Sequence, residues 1–421
     1  RTPGSAWPFH QALLGRPPVP RCCPSNLSGF SASACPSSAT RLTRPPLRLA
    51  GICELTMLER GALTERLPAW ARAQLIDPAI GFVSSMPSGG RLEFVTDSTT
   101  IELEAVFTRL EYGGVTPHTA TIDLVVDGEV VSREALGVTD VSRFPDRASL
   151  DFEMVHTEPS VIRFDGLAAG RKHVEIWLAQ NATAMLRELR LDDGATIESP
   201  PMSKRRRWVH YGSSISHCME AEHPTGTWPA VAARNAGVDL YSLGLAGQCQ
   251  LDQFAARTIR DLPADLISLK LGINVVNADS MRERAFVPAV HGLLDTIRDG
   301  HPDTPIVVIS PIICPAAEDH PGPTLPNVDG RFDVVERPEE LTVGALSLSR
   351  IRELLALVVA QRVAAGDSNL HSLHGHELFG AADVGDLPDG LHPNSAGYRR
   401  MGERFAAYAF APGGPFDRSA T

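Results

Sequence analysis

The chain has 421 residues, 43% of them hydrophobic and 21% charged, a composition that supports a buried core and a length that suits two or three domains. A net charge of −11 argues against a nucleic-acid binder, which would show a basic face, and no apolar run approaches the roughly 18 residues of a membrane-spanning helix. Seven cysteines without a CxxC pair give no zinc or dithiol motif, and their irregular spacing favours reduced thiols in the cytoplasm.

Residues 1–56 are rich in Pro, Ser and Arg, with Glu54 the only acid and no amphipathic period. Such a segment cannot bury enough apolar area to offset its ordering entropy, so it reads as a disordered extension. Its composition would also suit a transit peptide. The first methionine is Met57, and the expectation is that the natural protein starts there.

Residues 57–200 have the period of strands. In "TIELEAVF", Ile101, Leu103, Ala105 and Phe107 alternate with mostly polar residues. In "TIDLVVDGEVV", Asp127-Gly128 between two apolar runs is a two-residue hairpin signal. "HVEIWLA" places Val174, Ile176 and Leu178 on one face. Several short strands joined by turns predict an antiparallel β-sandwich. Its aromatics could bind sugar, but packing is the commoner role for a lone Trp177 or Phe164.

From residue 204 to 412 the texture changes, with 413–421 left as a tail. Lys204 to Arg207 is the one basic run and reads as a solvated linker ahead of a strand. "RWVHYG", "VDLYSLGLAG", "DLISLKLGIN" and "TPIVVISPI" are strands alternating with helices such as "TWPAVAARNAG", closed by Gly237, and "SAGYRRMGERFAAYAF". This alternation predicts an α/β domain with a parallel sheet and helices on both faces. Function in such sheets gathers at the carboxyl ends of the strands.

Three of those ends carry chemical groups, Gly212-Ser213-Ser214-Ile215-Ser216, then Ala246-Gly247, then Gly272-Ile273-Asn274, and a fourth block, "DGLHP", Asp389 to Pro393, lies near the C-terminus in a loop before the last helix, on the same edge of the sheet. A serine hydroxyl needs a base, which His392 can supply, and the imidazole needs an orienting partner, which Asp389 can be. The developing oxyanion needs donors in place, for which the N–H groups of Ser214 and Gly247 and the Asn274 amide are candidates. Singly, each piece has a plain alternative: Asn274 as a turn residue, Gly247 for its backbone freedom, Asp389-Gly390 as an ordinary turn. Their occurrence together and in order is what carries the reading. His210, His217 and His223 flank the first block, where packing is favoured over a rival base or a metal site. Trp228 could wall an acyl pocket, with core packing the stronger reading. Residues 315–340 form a long polar insert of the length of a lid or substrate-binding loop.

These blocks resemble the GDSL, or SGNH, family of serine esterases and lipases over residues 204–412. The resemblance implies a three-layer α/β/α fold with a five-stranded parallel sheet, Ser214 as nucleophile, His392 and Asp389 completing the triad, and Ser214, Gly247 and Asn274 forming the oxyanion hole. It implies no metal and no cofactor. The family's acid before the nucleophile is Ser213 here, which makes Ser213 the fallback nucleophile, whereas Ser216 reads as a helix-start residue. A sandwich ahead of the hydrolase looks like a subgroup with a sugar-binding-like module. The expected activity is removal of an acyl group, plausibly acetyl, from a small-molecule or carbohydrate ester. Alternatives are acyl transfer with the same triad and non-catalytic carbohydrate binding. A flavodoxin-like cofactor domain fits less well, because no Gly-rich phosphate loop precedes the first helix.

Overall fold

In a computed structural model, the described residues are 46–417 apart from 76, 113–117, 146–150 and 203. Among the described residues, thirteen strands precede residue 199: β1 (Arg48–Ala50), β2 (Glu54–Leu58), β3 (Gly61–Glu65), β4 (Arg91–Thr96), β5 (Ile101–Tyr112), β6 (Thr121–Val126), β7 (Glu129–Ala135), β8 (Asp140–Phe144), β9 (Glu153–Val155), β10 (Ser160–Phe164), β11 (Lys172–Trp177), β12 (Thr183–Leu191) and β13 (Ile197–Glu198). Two short helices, α1 (Ala69–Arg72) and α2 (Pro78–Ser84), lie among them.

The strands form two sheets. One has the order β1-β4-β11-β6-β7, with β13 also on β4; the other has β2-β3-β12-β5-β8-β9, with β10 also on β5. Pairing is antiparallel except between β5 and β8. The alternating residues Ile101, Leu103, Ala105 and Phe107 all point into the core, as do Val174, Ile176 and Leu178. Asp127 and Gly128 both take positive φ, 50° and 93°, joining β6 to β7 through the primed turn that the twist of a hairpin prefers. Phe164 and Trp177 are buried packing residues.

The expected extension through residue 56 is corrected. Arg48–Ala50 pairs with β4 and Glu54–Leu58 with β3, so both sheets recruit strands from within it. The reason is physical: β1 has three residues, and Met57 and Leu58 of β2 are exposed, so neither gives a clean alternation. Residues 1–45, with Cys22, Cys23 and Cys35, lie outside the described residues.

Beyond residue 203 come β14 (Arg207–Gly212), α3 (Ser214–His217), α4 (Trp228–Ala236), β15 (Asp239–Gly244), α5 (Gln253–Asp261), β16 (Leu266–Lys270), α6 (Ile273–Asn277), α7 (Glu283–Gly300), β17 (Ile306–Ile309), β18 (Thr324–Pro326), β19 (Phe332–Val334), α8 (Leu348–Ala364), β20 (Leu370–Leu373), α9 (Gly375–Leu378) and α10 (Ser395–Ala409). Five of these strands form a parallel sheet in the order β15-β14-β16-β17-β20, within a three-layer α/β/α arrangement. Helices α4 and α10 pack together, and α5, α7 and α8 form a second group. Trp208 of β14 stacks on Phe405 of α10 at 5.1 Å, and Trp228 lies fully buried against both, a core residue. The C-terminal tail begins later than 413: Phe416 is fully buried against Phe405 and Phe410.

The sandwich closes the open edge of this sheet. β15 is an edge strand, whose unpaired polar groups would otherwise face solvent. Arg66, fully buried after β3, donates to the carbonyls of Ser242 and Gly244 at 2.9 Å and of Val83 at 2.6 Å. Burial pulls its guanidinium down to about 10. Arg91 of β4 pairs with Glu93 beside it and with Asp239 at the start of β15. Gly89 approaches so closely that a Cβ would lie 3.1 Å from the Ser242 Cβ. The basic run is a bracket within the fold. Arg205 pairs with Glu175 of the sandwich, Arg206 donates to the Phe416 carbonyl at 2.6 Å, and Arg207 pairs with Asp265.

Candidate active site

β14 ends at Gly212, where a Cβ would fall 2.3 Å from the Ser216 hydroxyl, so only glycine lets the chain turn directly into α3. Ser213 is the N-cap of that helix. Its hydroxyl accepts from the Ile215 N–H at 3.3 Å and is fully buried. Ser216 is also buried, its hydroxyl 2.8 Å from His210 Nε2. Ser214, the first helical residue, is the partly exposed serine of the three.

Ser214 Oγ lies 2.8 Å from His392 Nε2, and His392 Nδ1 lies 2.7 Å from Asp389 Oδ2. The other Asp389 oxygen accepts the backbone N–H groups of Leu391 and His392 at 2.9 and 2.7 Å. This local turn aims the carboxylate at the ring three residues on. Burial pushes the Asp389 carboxyl up, but the imidazole and those N–H groups outweigh it and hold it below the usual carboxylate value. An ionised Asp389 fixes the proton on Nδ1, which leaves Nε2 to accept from the serine hydroxyl.

The expected oxyanion donors follow three neighbouring strands. Ser214 comes after β14, Gly247 after β15 and Asn274 after β16. Gly247 takes φ 72°, and the space beside its Cα is open. Asn274 is buried, and its side-chain oxygen accepts the Cys249 N–H at 3.0 Å, which leaves the amide nitrogen as the group available to a ligand. The Ser214 N–H sits at the first turn of a helix, where backbone donors lack intrahelical acceptors.

The other flanking groups pack. His210 sits fully buried between Ser216 and Ser268, and burial with the nearby Lys270 pushes it down to about 3. His217 meets the Gln180 carbonyl at 2.7 Å and is likewise pushed down to about 3 by burial and Arg66. His223 meets Thr225 and Asp123 of β6. Cys218 and Cys249 are buried, and desolvation raises both thiols. The long insert is folded rather than solvated throughout. β18 and β19 form a hairpin, the Phe332 N–H donates to the Asp389 carbonyl at 2.8 Å, and the Phe332 ring stands edge-on to His392 at 5.6 Å. Two further neighbours of His392 escaped the sequence reading: Phe332, hidden in a polar stretch, and Glu220, whose Oε1 is 3.8 Å from Nδ1. No spacing signal links either to Asp389 or His392.

Residues 210–400 match the model of the GDSL-like lipase/acylhydrolase family. Among solved structures, the chain is similar to a salicylyl-acyltransferase from a tetracycline biosynthetic pathway, with 30% identity and a TM-score of 0.73, over 87% of this chain and 94% of that one. It is similar also to a GDSL-like lipase from Bacteroides ovatus, at 19% identity and a TM-score of 0.60, covering 85% and 93% of the two chains. A third is an active-site mutant of a family two carbohydrate esterase from Clostridium thermocellum, at 16% and 0.52, covering 76% and 90%. The last two likenesses are of fold. No curated protein matches the chain by sequence. Among the described residues, no helix is long and apolar enough to cross a membrane.

Proposed function

The chain belongs to the GDSL-like lipase/acylhydrolase family, and from that premise we propose that it is a serine esterase that removes an acyl group from a small or carbohydrate-like ester. The observation that carries the reading is the unbroken chain from Ser214 Oγ through the His392 ring to Asp389, at 2.8 and 2.7 Å. His392 Nε2 takes the hydroxyl proton as Ser214 Oγ bonds to the ester carbonyl carbon. The carbonyl oxygen becomes an oxyanion facing the N–H groups of Ser214 and Gly247 and the Asn274 amide. The carbon–oxygen bond to the alcohol then breaks, and the imidazolium returns the proton to the leaving alkoxide. Water, deprotonated by the same imidazole, releases the acid and regenerates the serine. Asp389 stays ionised throughout and stabilises the imidazolium.

Acyl transfer is the second reading, favoured by the 30% identity to a salicylyl-acyltransferase. It shares every step up to the acyl-Ser214 intermediate, after which an alcohol replaces water. A carbohydrate substrate is supported by the likeness of fold to a carbohydrate esterase. Labelling with a fluorophosphonate followed by peptide mapping tests the shared part, with a single adduct on Ser214 expected. No adduct on folded protein would leave the family fold serving as a non-catalytic binding protein. Product analysis with and without an added alcohol separates hydrolysis from transfer.

Asn274→Ala is expected to lower kcat by ~10²–10³ with little change in KM, because its amide is needed only once the oxyanion forms. A change confined to KM would remove Asn274 from the oxyanion hole. Activity is expected to fall through one ionisation as pH drops, when His392 can no longer accept a proton. Asp389 does not set this limb, since its carboxyl is held below its ordinary value and is still ionised where an imidazole titrates. A pH–rate profile flat from acid to neutral would count against a histidine base.

A further inference from the structure

Glu220 lies six residues beyond Ser214, in the loop after α3, and faces the same side of His392 as Asp389. Its Oε1 is 3.8 Å from Nδ1, too far for a hydrogen bond but close enough for its charge to favour an imidazolium. Its Oε2 accepts the hydroxyl of Tyr398, a fully buried residue of α10, at 2.8 Å. The loop on either side is fixed. Cys218 takes the left-handed conformation at φ 58°, and the Glu222 N–H donates to Ser395 Oγ at 3.0 Å. The sandwich grips the same loop: Asn181 Nδ2 reaches the Met219 carbonyl at 3.4 Å, Gln180 Nε2 the Ala221 carbonyl at 2.7 Å, and Thr121 Oγ1 the Glu222 carbonyl at 3.1 Å. A surface glutamate needs none of this. One held by a buried hydroxyl and braced by a second domain has its carboxylate position specified.

We propose that Glu220 is a positioning residue for His392: a second carboxylate, held by Tyr398 and by a loop the sandwich braces, that shares the Nδ1 side of the ring with Asp389. The inference rests on the reading of Ser214, His392 and Asp389 given above. Asp389 makes the short hydrogen bond that orients the ring. Glu220 adds charge, and it stands within reach of the ring if Asp389 is lost. The charged and titratable groups around the pair include Asp389 on the loop of His392, Glu220 and Cys218 from the loop after α3, Tyr398 from α10, Cys314 after β17, and Arg331 of the β18–β19 turn beside Gly390. Among these, Glu220 and Asp389 are the carboxylates. Removing the Glu220 charge therefore makes the imidazolium harder to form, and the acid limb of reactivity moves to lower pH.

The test is the rate at which a fluorophosphonate labels Ser214, followed against pH for the full chain, so that no substrate need be known. Glu220→Gln keeps an acceptor for Tyr398 and removes the charge. The acid limb is expected to move down by about half a pH unit, with labelling at neutral pH slower by several-fold. In an Asp389→Ala background, the same substitution is expected to cost about ten times more than in the wild type, since the second carboxylate has then become the first. An unmoved limb together with equal cost in both backgrounds would overturn the proposal and leave Glu220 as a hydrogen-bond partner of Tyr398. If Glu220→Gln fails to fold, Tyr398→Phe is read instead. It keeps the buried ring and the charge but releases the carboxylate from its anchor, so the limb should move, and an unchanged limb would overturn the proposal. Absence of labelling at Ser214 in the wild type at every pH would mean that the reading of the site, rather than the role of Glu220, has failed.

Discussion

Ser214→Ala is expected to reduce ester turnover by a factor on the order of 10⁴ or more while leaving thermal unfolding unchanged. The size follows from what the substitution removes. Neither neighbouring serine can take over the bond to carbon: Ser213 is fully buried as the cap of α3, and Ser216 is buried against His210. The small effect on stability follows from where Ser214 sits. It is partly exposed, its side-chain bond to His392 faces the site, and the cap of the helix is the neighbouring residue. Some rate above that of water should survive, because the oxyanion donors and the binding surface remain. Ser213→Ala should behave in the opposite way, weakening the start of α3 by roughly 1 kcal/mol and sparing most of the activity. Normal turnover in Ser214→Ala, measured by ester hydrolysis and by fluorophosphonate labelling, would sink the assignment.

The groups that sequence could locate are those fixed by a local pattern. The strands that begin at Arg207, Asp239, Leu266 and Ile306 sit where apolar runs alternate with helices, and the strand-end rule leads straight to Ser214, Gly247 and Asn274. The turn at Asp127-Gly128 was legible because two successive positive φ angles suit Asp and Gly. Asp389 and His392 were legible because they lie three residues apart on one turn. β20 was not, since "LHSL" is half polar and buries only its two leucines. Phe332 and Glu220 were not, because each reaches His392 from a distant segment whose own sequence looks like a solvated loop. The relation between the two domains was not legible either. The family resemblance implies a sugar-binding-like module ahead of the hydrolase and says nothing of how the two join. The sandwich covers the β15 edge and grips the loop after the nucleophile through Gln180, Asn181 and Thr121, contacts between residues far apart in the chain. No periodicity encodes such contacts.

Arg91→Met tests that joint, and a loss of about 3–5 kcal/mol is expected, read as a lower midpoint of thermal or denaturant unfolding. Arg91 is 1% exposed and faces Glu93, Glu175 and Asp239, three carboxylates that are themselves nearly buried. Methionine fills similar space but removes the one buried cation of that cluster, leaving its salt bridges to Arg48 and Arg205, both partly exposed. Replacing a whole buried ion cluster with apolar groups can be neutral, whereas removing one partner strands the others. The pH dependence separates this cause from a simple packing defect. In the wild type, burial pushes the Asp239 and Glu175 carboxyls up, but the arginines outweigh it and hold both below their ordinary values. Their contribution to stability is therefore present at neutral pH and is lost as pH falls through those lowered values. In the variant the stranded carboxylates should bind protons more readily when folded than when unfolded. Its stability should then recover as pH falls, and the two stability curves should converge toward acid. Parallel curves, or a loss below about 1 kcal/mol, would mean that the cluster is solvated well enough to do without Arg91. Because Asp239 opens β15 and Gly247 follows its far end, a loosened joint should also lower turnover in protein that is still folded. The loss would appear in kcat, since the displaced group is an oxyanion donor.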